Sequence, residues 1–181
     1  MSPLPVDLGE GALLRKLRIE DLDPVWELIQ AERERIGVWM PWVEATRTID
    51  DQREWLEGVV RDERNLDGVG IFVEGRYVGG VGMVMDAFRI AGDIGYWIGG
   101  GHEGRGLVSR AVRAMIEIGF RELGLHRIVI RAGEENVRSR AIPERFGFTR
   151  EGVARGEGRG VGGFYDLVVY SLLEDEWPPK G

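Results

Sequence analysis

A chain of 181 residues with 43% apolar and 30% charged residues has the composition of an ordinary globular domain, long enough to bury a core of its own. It has no cysteine and only two histidines, His102 and His126, which excludes disulfides, a thiol nucleophile and cysteine- or histidine-rich metal sites. The formal net charge of −7 argues against general nucleic-acid binding and is compatible with a cationic partner such as an amine.

No apolar run is long enough to span a membrane. Met1 to Gly11 lacks the basic-then-apolar pattern of a signal peptide, so a cytoplasmic location is expected. Ala12 to Arg18 reads as a first strand. Asp21 or Asp23 caps a helix with Pro24 near its first turn and an apolar stripe of Leu22, Val25, Trp26, Ile29 and Ile36. Val38-Trp39-Met40-Pro41-Trp42-Val43 is a dense apolar cluster in which proline disfavours a continuous helix. Its tryptophans either plug the core or line a pocket, and the residues alone favour the plug. A second helix is expected from Ile49 to Arg64, with Trp55, Leu56, Val59 and Val60 inward.

Gly68 to Glu74 and Arg76 to Met85 read as strands joined by a tight turn at Glu74-Gly75. A second turn at Phe88 to Ala91 leads to a strand ending at Ile98, and its pattern predicts that both of its faces are largely buried. After a glycine run, a helix starts at Leu107, with apolar positions at Ala111, Ala114, Met115 and Ile118, and ends at a Gly124 cap. Arg127 to Ala132 is a strand, Val137 to Arg145 a short helix, and Phe148 to about Ala154 a strand. Arg155 to Gly163 reads as a glycine-rich loop or irregular strand, Phe164 to Leu173 as the last strand, and Trp177-Pro178-Pro179 as a frayed tail. This order predicts one α/β (α+β) domain over residues 1–181, with its core at about 12–177. Its mixed, mostly antiparallel sheet has about seven strands, with helices on both faces.

The strand-to-helix passage around the glycine run is the main functional signal. Gly99, Gly100, Gly101, Gly104 and Gly106 leave the backbone bare just before a helix start, an arrangement that attracts a phosphate or diphosphate. Gly99-Gly100-Gly101-His102-Glu103-Gly104 formally matches G-x-G-x-x-G. The next strand, however, ends at Arg131-Ala132-Gly133 without the acidic residue a dinucleotide's ribose needs. Gly104-Arg105-Gly106 also lacks the Lys-Ser or Lys-Thr of a nucleotide-triphosphate loop.

At these residues the chain resembles the GNAT N-acetyltransferases, and more closely their RimJ/RimL-like branch, which acetylates the N-termini of ribosomal proteins. The resemblance runs from about Leu14 to Trp177. Gly101-His102-Glu103-Gly104-Arg105-Gly106 fits the glycines of the family's acyl-CoA loop, with Gly101 departing at its first position and Glu103 standing where the branch often has Gln. The segment from Glu135 to Phe148 is very similar to the branch's own, Trp39-Met40-Pro41-Trp42 looks like its acceptor-side segment, and Tyr165-Asp166 to Leu173 resembles its closing strand.

The resemblance implies direct acetyl transfer from acetyl-CoA to a primary amine in a ternary complex, with no covalent enzyme intermediate. It implies coenzyme A contacts from Trp97, Ile98, His102, Glu103, Gly104, Arg105, Gly106, Leu107, Val108, Asn136 and Ser139, and an acceptor pocket lined by Trp39, Met40 and Trp42. A backbone N–H at the strand end would polarise the thioester carbonyl, and Asn136 would bond the cofactor arm. Ser139 would protonate the departing thiolate, since Pro143 occupies the position where many other relatives carry tyrosine. Glu157 is the candidate base, one residue from the branch's usual carboxylate position, here Gly158, and aimed by a bulge among Gly156, Gly158 and Gly160. Water, Glu103 or Asp166 are alternatives. The expected acceptor is a protein or peptide N-terminus, with a small-molecule amine or a non-catalytic acyl-CoA sensor as alternatives, and relatives suggest a possible homodimer.

Overall fold

The computed structural model describes residues 3–62, 65–86, 88 and 90–178. Glu63 and Arg64 of the expected second helix, Arg89 of the second turn and Pro179 of the tail lie outside the described residues. The elements in chain order are β1 (Val6–Gly9), β2 (Ala12–Lys16), α1 (Leu22–Gly37), α2 (Pro41–Ala45), α3 (Ile49–Arg61), β3 (Leu66–Val73) and β4 (Arg76–Asp86). There follow β5 (Ala91–Ile98), α4 (Leu107–Glu117), β6 (Arg127–Gly133), α5 (Val137–Arg145), β7 (Thr149–Gly160) and β8 (Gly163–Leu173).

The sheet has eight strands rather than about seven, in the order β1-β2-β3-β4-β5-β6-β8-β7. The extra strand is β1, paired to β2 through Val6 with Leu14 and Asp7 with Leu13. Gly9, Glu10 and Gly11, all at positive φ, reverse the chain between them. Pro41 does end the preceding helical run, but it also starts α2 at a position where its missing N–H is not needed. The glycine-rich segment is strand as far as Gly160. β7 crosses a bulge between Ala154 and Gly158 and stays paired to β8.

Helices cover both faces. On one side α4 buries Leu107, Ala111, Val112, Met115 and Ile116, and α5 buries Ile142, against Met83, Ile94, Ile128, Ile130 and Val168 of the sheet. Each of the Leu, Ile, Val and Met side chains contributes roughly 2 kcal/mol. On the other side Leu22, Val25 and Ile29 of α1 and Leu56 of α3 pack on Phe72 and Tyr77. Asp21 secures the entry to α1. Its carboxylate takes two hydrogen bonds from Arg15, at 2.7 and 2.8 Å, and one from Arg18 N–H at 2.8 Å. Thr48 and Asp51 form a capping box at the start of α3.

Two features of β5 position the site. Its parallel pairing with β6 runs only from Ala91 and Arg127 to Asp93 and Val129, so beyond Asp93 the two strands part and leave a wedge. β5 is largely covered on both faces except at Gly95, which is exposed and where a side-chain carbon would meet no atom within 4 Å; Trp97 on the same face packs against Trp42 and Tyr77.

Candidate active site

The wedge opens into a cleft of about 830 Å³ whose lining comes from α1, the α1–α2 connection, β5, the glycine loop, α4 and α5. It is of a size that takes an extended small molecule. Gly99 N–H donates to Val78 O on β4 at 2.8 Å. In an antiparallel ladder the hydrogen-bonding direction alternates, so Trp97 and Gly95 also turn their amides to β4, while Tyr96 and Ile98 turn theirs into the wedge. The strand-end N–H that can polarise a carbonyl is therefore that of Ile98.

The loop beyond it is folded on itself at first. His102 N–H donates to Gly99 O at 2.9 Å and Glu103 N–H to Gly100 O at 3.3 Å, while Gly100 N–H reaches Glu32 Oε1 at 2.9 Å. The bare amides are narrower in extent than the whole glycine run. They belong to the segment from Gly104 into α4, where Gly104 and Gly106 adopt φ of +73° and +70°. That left-handed backbone suits glycine and turns the chain into α4 with Gly106 at its N-cap. No side chain among the described residues caps α4 there, so its first N–H groups and the positive end of its dipole face the cleft.

α5 brings Asn136 and Ser139 to the opposite wall. Asn136 Oδ1 accepts from Ser139 N–H at 3.2 Å, which caps the helix and leaves the Asn136 NH₂ for a ligand. The Ser139 hydroxyl is thus released from capping. It donates to Tyr96 OH at 3.3 Å, and Tyr96 OH donates to Ser139 O at 2.8 Å. Burial pushes the pKa of Tyr96 well up, with the Ser139 bond working the other way, so Tyr96 keeps its proton and holds Ser139 in place. Arg140 and Glu144, both bonded to Tyr170 OH at 3.0 and 2.7 Å, seat α5 on β8.

Of the residues expected to touch a cofactor, Trp97, Ile98, His102, Glu103, Gly104, Gly106, Leu107, Val108, Asn136 and Ser139 line this one cleft, and so do Trp39 and Met40. Three expected residues stand apart. Arg105 points outward, 3.1 Å from His102 Nδ1, and is not among the lining residues. Trp42 packs against Trp97 with the second core cluster, supporting the cleft wall from behind. Glu157 sits on the bulge with its side chain half exposed, 3.9 Å from Arg131 Nε and outside the lining. A side chain at Gly158 is excluded, since its first carbon would fall within 2.2 Å of the Tyr165 ring. Of the alternatives to Glu157, Asp166 is committed to Gly156 N–H at 2.7 Å and Glu103 to two arginines. Trp39 lies against Gly133, with Tyr165 OH bonded to its carbonyl at 2.7 Å.

The cleft also holds cations that the sequence reading missed. Arg35, Arg138 and Arg145 line it, in a chain whose net charge is negative. Arg138, Ile142 and Arg145 recur at helical spacing, which was a usable signal for one face of α5. Arg35 comes from the far end of α1, and no local pattern connects it to the loop. A parted strand pair, a bare helix terminus among arginines and an adjoining aromatic wall suit an extended, anionic ligand. The residues fit coenzyme A, whose diphosphate suits the α4 terminus and whose amide-bearing arm suits the wedge.

The chain matches the family model described as an acetyltransferase (GNAT) domain over residues 12–149. It is 37% identical over 175 residues to the putative ribosomal N-acetyltransferase YdaF of Bacillus subtilis, covering 94% of this chain and 95% of that protein. The fold matches the crystal structure of a probable acetyltransferase with a TM-score of 0.88 at 34% identity, covering 96% of this chain and 99% of the other. It matches the microcin self-immunity acetyltransferase MccE, solved with acetyl-CoA and AMP, with a TM-score of 0.84 at 25% identity, covering 95% and 98%. The chain belongs to the GNAT acetyltransferase family, and it is an N-acetyltransferase that uses acetyl-CoA.

Proposed function

We propose that this chain acetylates the N-terminal α-amine of a ribosomal protein or another peptide, by direct transfer while donor and acceptor are bound together. The observation that carries this reading is that Trp39 and Met40 line the same cleft as the loop, α4 and Ser139, so an acceptor and a donor can meet there. The name of the YdaF relative and the Trp-Met-Pro-Trp segment support a peptide acceptor.

Acetyl-CoA supplies an acetyl group on a thioester. The N–H groups of Gly104 to Val108 hold its diphosphate, and the Asn136 NH₂ bonds its amide arm. Ile98 N–H donates to the acetyl oxygen as negative charge gathers there, an interaction worth roughly 3 kcal/mol in comparable enzymes. As the amine nitrogen bonds to the acetyl carbon and the carbon–sulfur bond breaks, the Ser139 hydroxyl would turn from Tyr96, pass its proton to sulfur and take one back from solvent. The amine's proton would pass through water to Glu157, which then releases it to solvent. Glu157 takes this role because Glu103 and Asp166 are committed elsewhere.

The test is thiol release from acetyl-CoA across a panel of peptides and small amines, with mass spectrometry locating the acetyl group. Acetylation at a peptide α-amine is expected. Turnover only with small amines would replace this reading by a small-molecule acetyltransferase. Coenzyme A-induced thermal stabilisation without turnover on any acceptor would replace it by a sensor.

A further inference from the structure

Glu103 stands between two arginines from opposite walls of the cleft. Its Oε1 accepts from Arg35 at 2.7 Å and its Oε2 from Arg138. Arg35 comes from the last turn of α1 and Arg138 from the first turn of α5, so one loop carboxylate bridges both walls. The two arginines are not held alike. Arg35 is also paired with Glu32 at 2.5 Å and donates to the Ile98 carbonyl, and Glu32 in turn holds Gly100 N–H. Burial works to raise the pKa of Glu32, but the bonds from Arg35 and Gly100 outweigh it and hold the group below its ordinary value, so it stays charged. Among the described residues, Arg138 has Glu103 as its only partner, and its side chain is 85% exposed.

We propose that Glu103 is an internal anion that holds Arg138 while the cleft is empty of cofactor and yields it to the diphosphate on binding. This rests on the reading of Gly104 to Val108 as the coenzyme A cradle. Glu103 immediately precedes the amides that take the diphosphate, so the guanidinium it holds stands beside the incoming anion. Arg138 can change partners by turning an exposed side chain, with no other bond to break. Arg35 cannot move as cheaply, because Glu32 and the Ile98 carbonyl also hold it. After the exchange Glu103 keeps Arg35, Arg138 gains a phosphate oxygen in a charge-assisted bond, and no charge is left unpaired. Glu103 thus keeps the cleft ordered and lowers the affinity for the ligand that replaces it.

The experiment is calorimetric titration of coenzyme A into the full chain and the variants Glu103→Gln, Arg138→Gln and the double variant, with ligand-free melts confirming that each is folded. Glu103→Gln is expected to bind about three- to tenfold tighter than the unmodified chain. Arg138→Gln is expected to bind more weakly, and in its background most of the gain from Glu103→Gln should vanish. Unchanged or weaker binding by Glu103→Gln overturns the proposal, as does a gain that persists in full without Arg138. Failure of the unmodified chain to bind coenzyme A would instead overturn the cradle itself, so the two failures are distinguishable.

Discussion

A charge series at Gly104 tests the cradle. Gly104 has φ of +73°, which costs any L residue about 1–2 kcal/mol, and a side-chain carbon there meets no atom within 4 Å. Gly104→Ala, Gly104→Lys and Gly104→Glu therefore share one backbone cost, a drop of roughly 2–8 °C in melting temperature, and differ almost only in charge. A charge on that side chain would stand roughly 6 Å from an anion held by the neighbouring amides. The interaction of one charge pair at that distance is about 0.7 kcal/mol with water-like screening and about 3 kcal/mol at an effective dielectric of 20. Since a diphosphate carries more than one charge, Gly104→Glu should bind coenzyme A at least tenfold more weakly than Gly104→Ala, to the point of undetectable binding. Gly104→Lys should bind at least as tightly as Gly104→Ala. Calorimetry measures the affinities and a thermal melt checks the shared cost. If all three bind within about twofold of one another, the diphosphate is not at these amides and the reasoning fails.

Ser139→Ala should lower kcat by about 100-fold with little change in coenzyme A affinity, at a stability cost of about 1 kcal/mol, because Tyr96 keeps its bond to the Ser139 carbonyl. An unchanged rate would remove Ser139 from the reaction. Gly133→Ala places a carbon within 2.4 Å of the Trp39 ring and should destabilise by about 1–3 kcal/mol. It should raise the KM of the acceptor more than the Kd of coenzyme A; equal effects on both would separate Trp39 from the acceptor. Asp21→Asn should cost about 3 kcal/mol at pH 7, measured by urea unfolding, because it breaks a largely buried pair with Arg15. Burial opposes the charge on Asp21, but bonds from Arg15 and Arg18 win and lower its pKa. Its stabilisation is therefore complete above the ordinary carboxylate range and is lost as pH falls below about 4 through the lower folded value. The Asn variant should lose less stability across that window, and an identical acid profile would refute the assignment.

How far the sequence could be read depended on whether the signal was local. The start of α4 and the turn of α5 at Asn136 were legible because glycine placement, apolar spacing and a capping residue all lie within a few positions. β1 was not, because four residues with only Val6 and Leu8 on one side carry too little alternation, and its pairing depends on Leu13 and Leu14. The two tryptophans illustrate the limit within one motif. Trp39 and Trp42 are three residues apart, yet Met40 is extended and Pro41 begins a new helix, so one ring lies against Gly133 in the cleft and the other behind Trp97. Arg35 is 68 residues from its partner Glu103, and only the packing of α1 against the sheet brings them together. The aim of Glu157 depended on where β7 bulges, which three nearby glycines left undetermined until the pairing with β8 fixed it.

The parting of β5 from β6 places two raw borders in the middle of a sheet, where most proteins have them only at the rim. The amide protons of Tyr96 and Ile98 should exchange with deuterated solvent like those of an outermost strand, while those of Gly95 and Trp97, which alternate with them and are bonded to β4, stay protected. An extended arm bearing its own amides, slid between the strands, is received as a short missing strand. The donor substrate then completes the architecture of the protein as well as reacting within it.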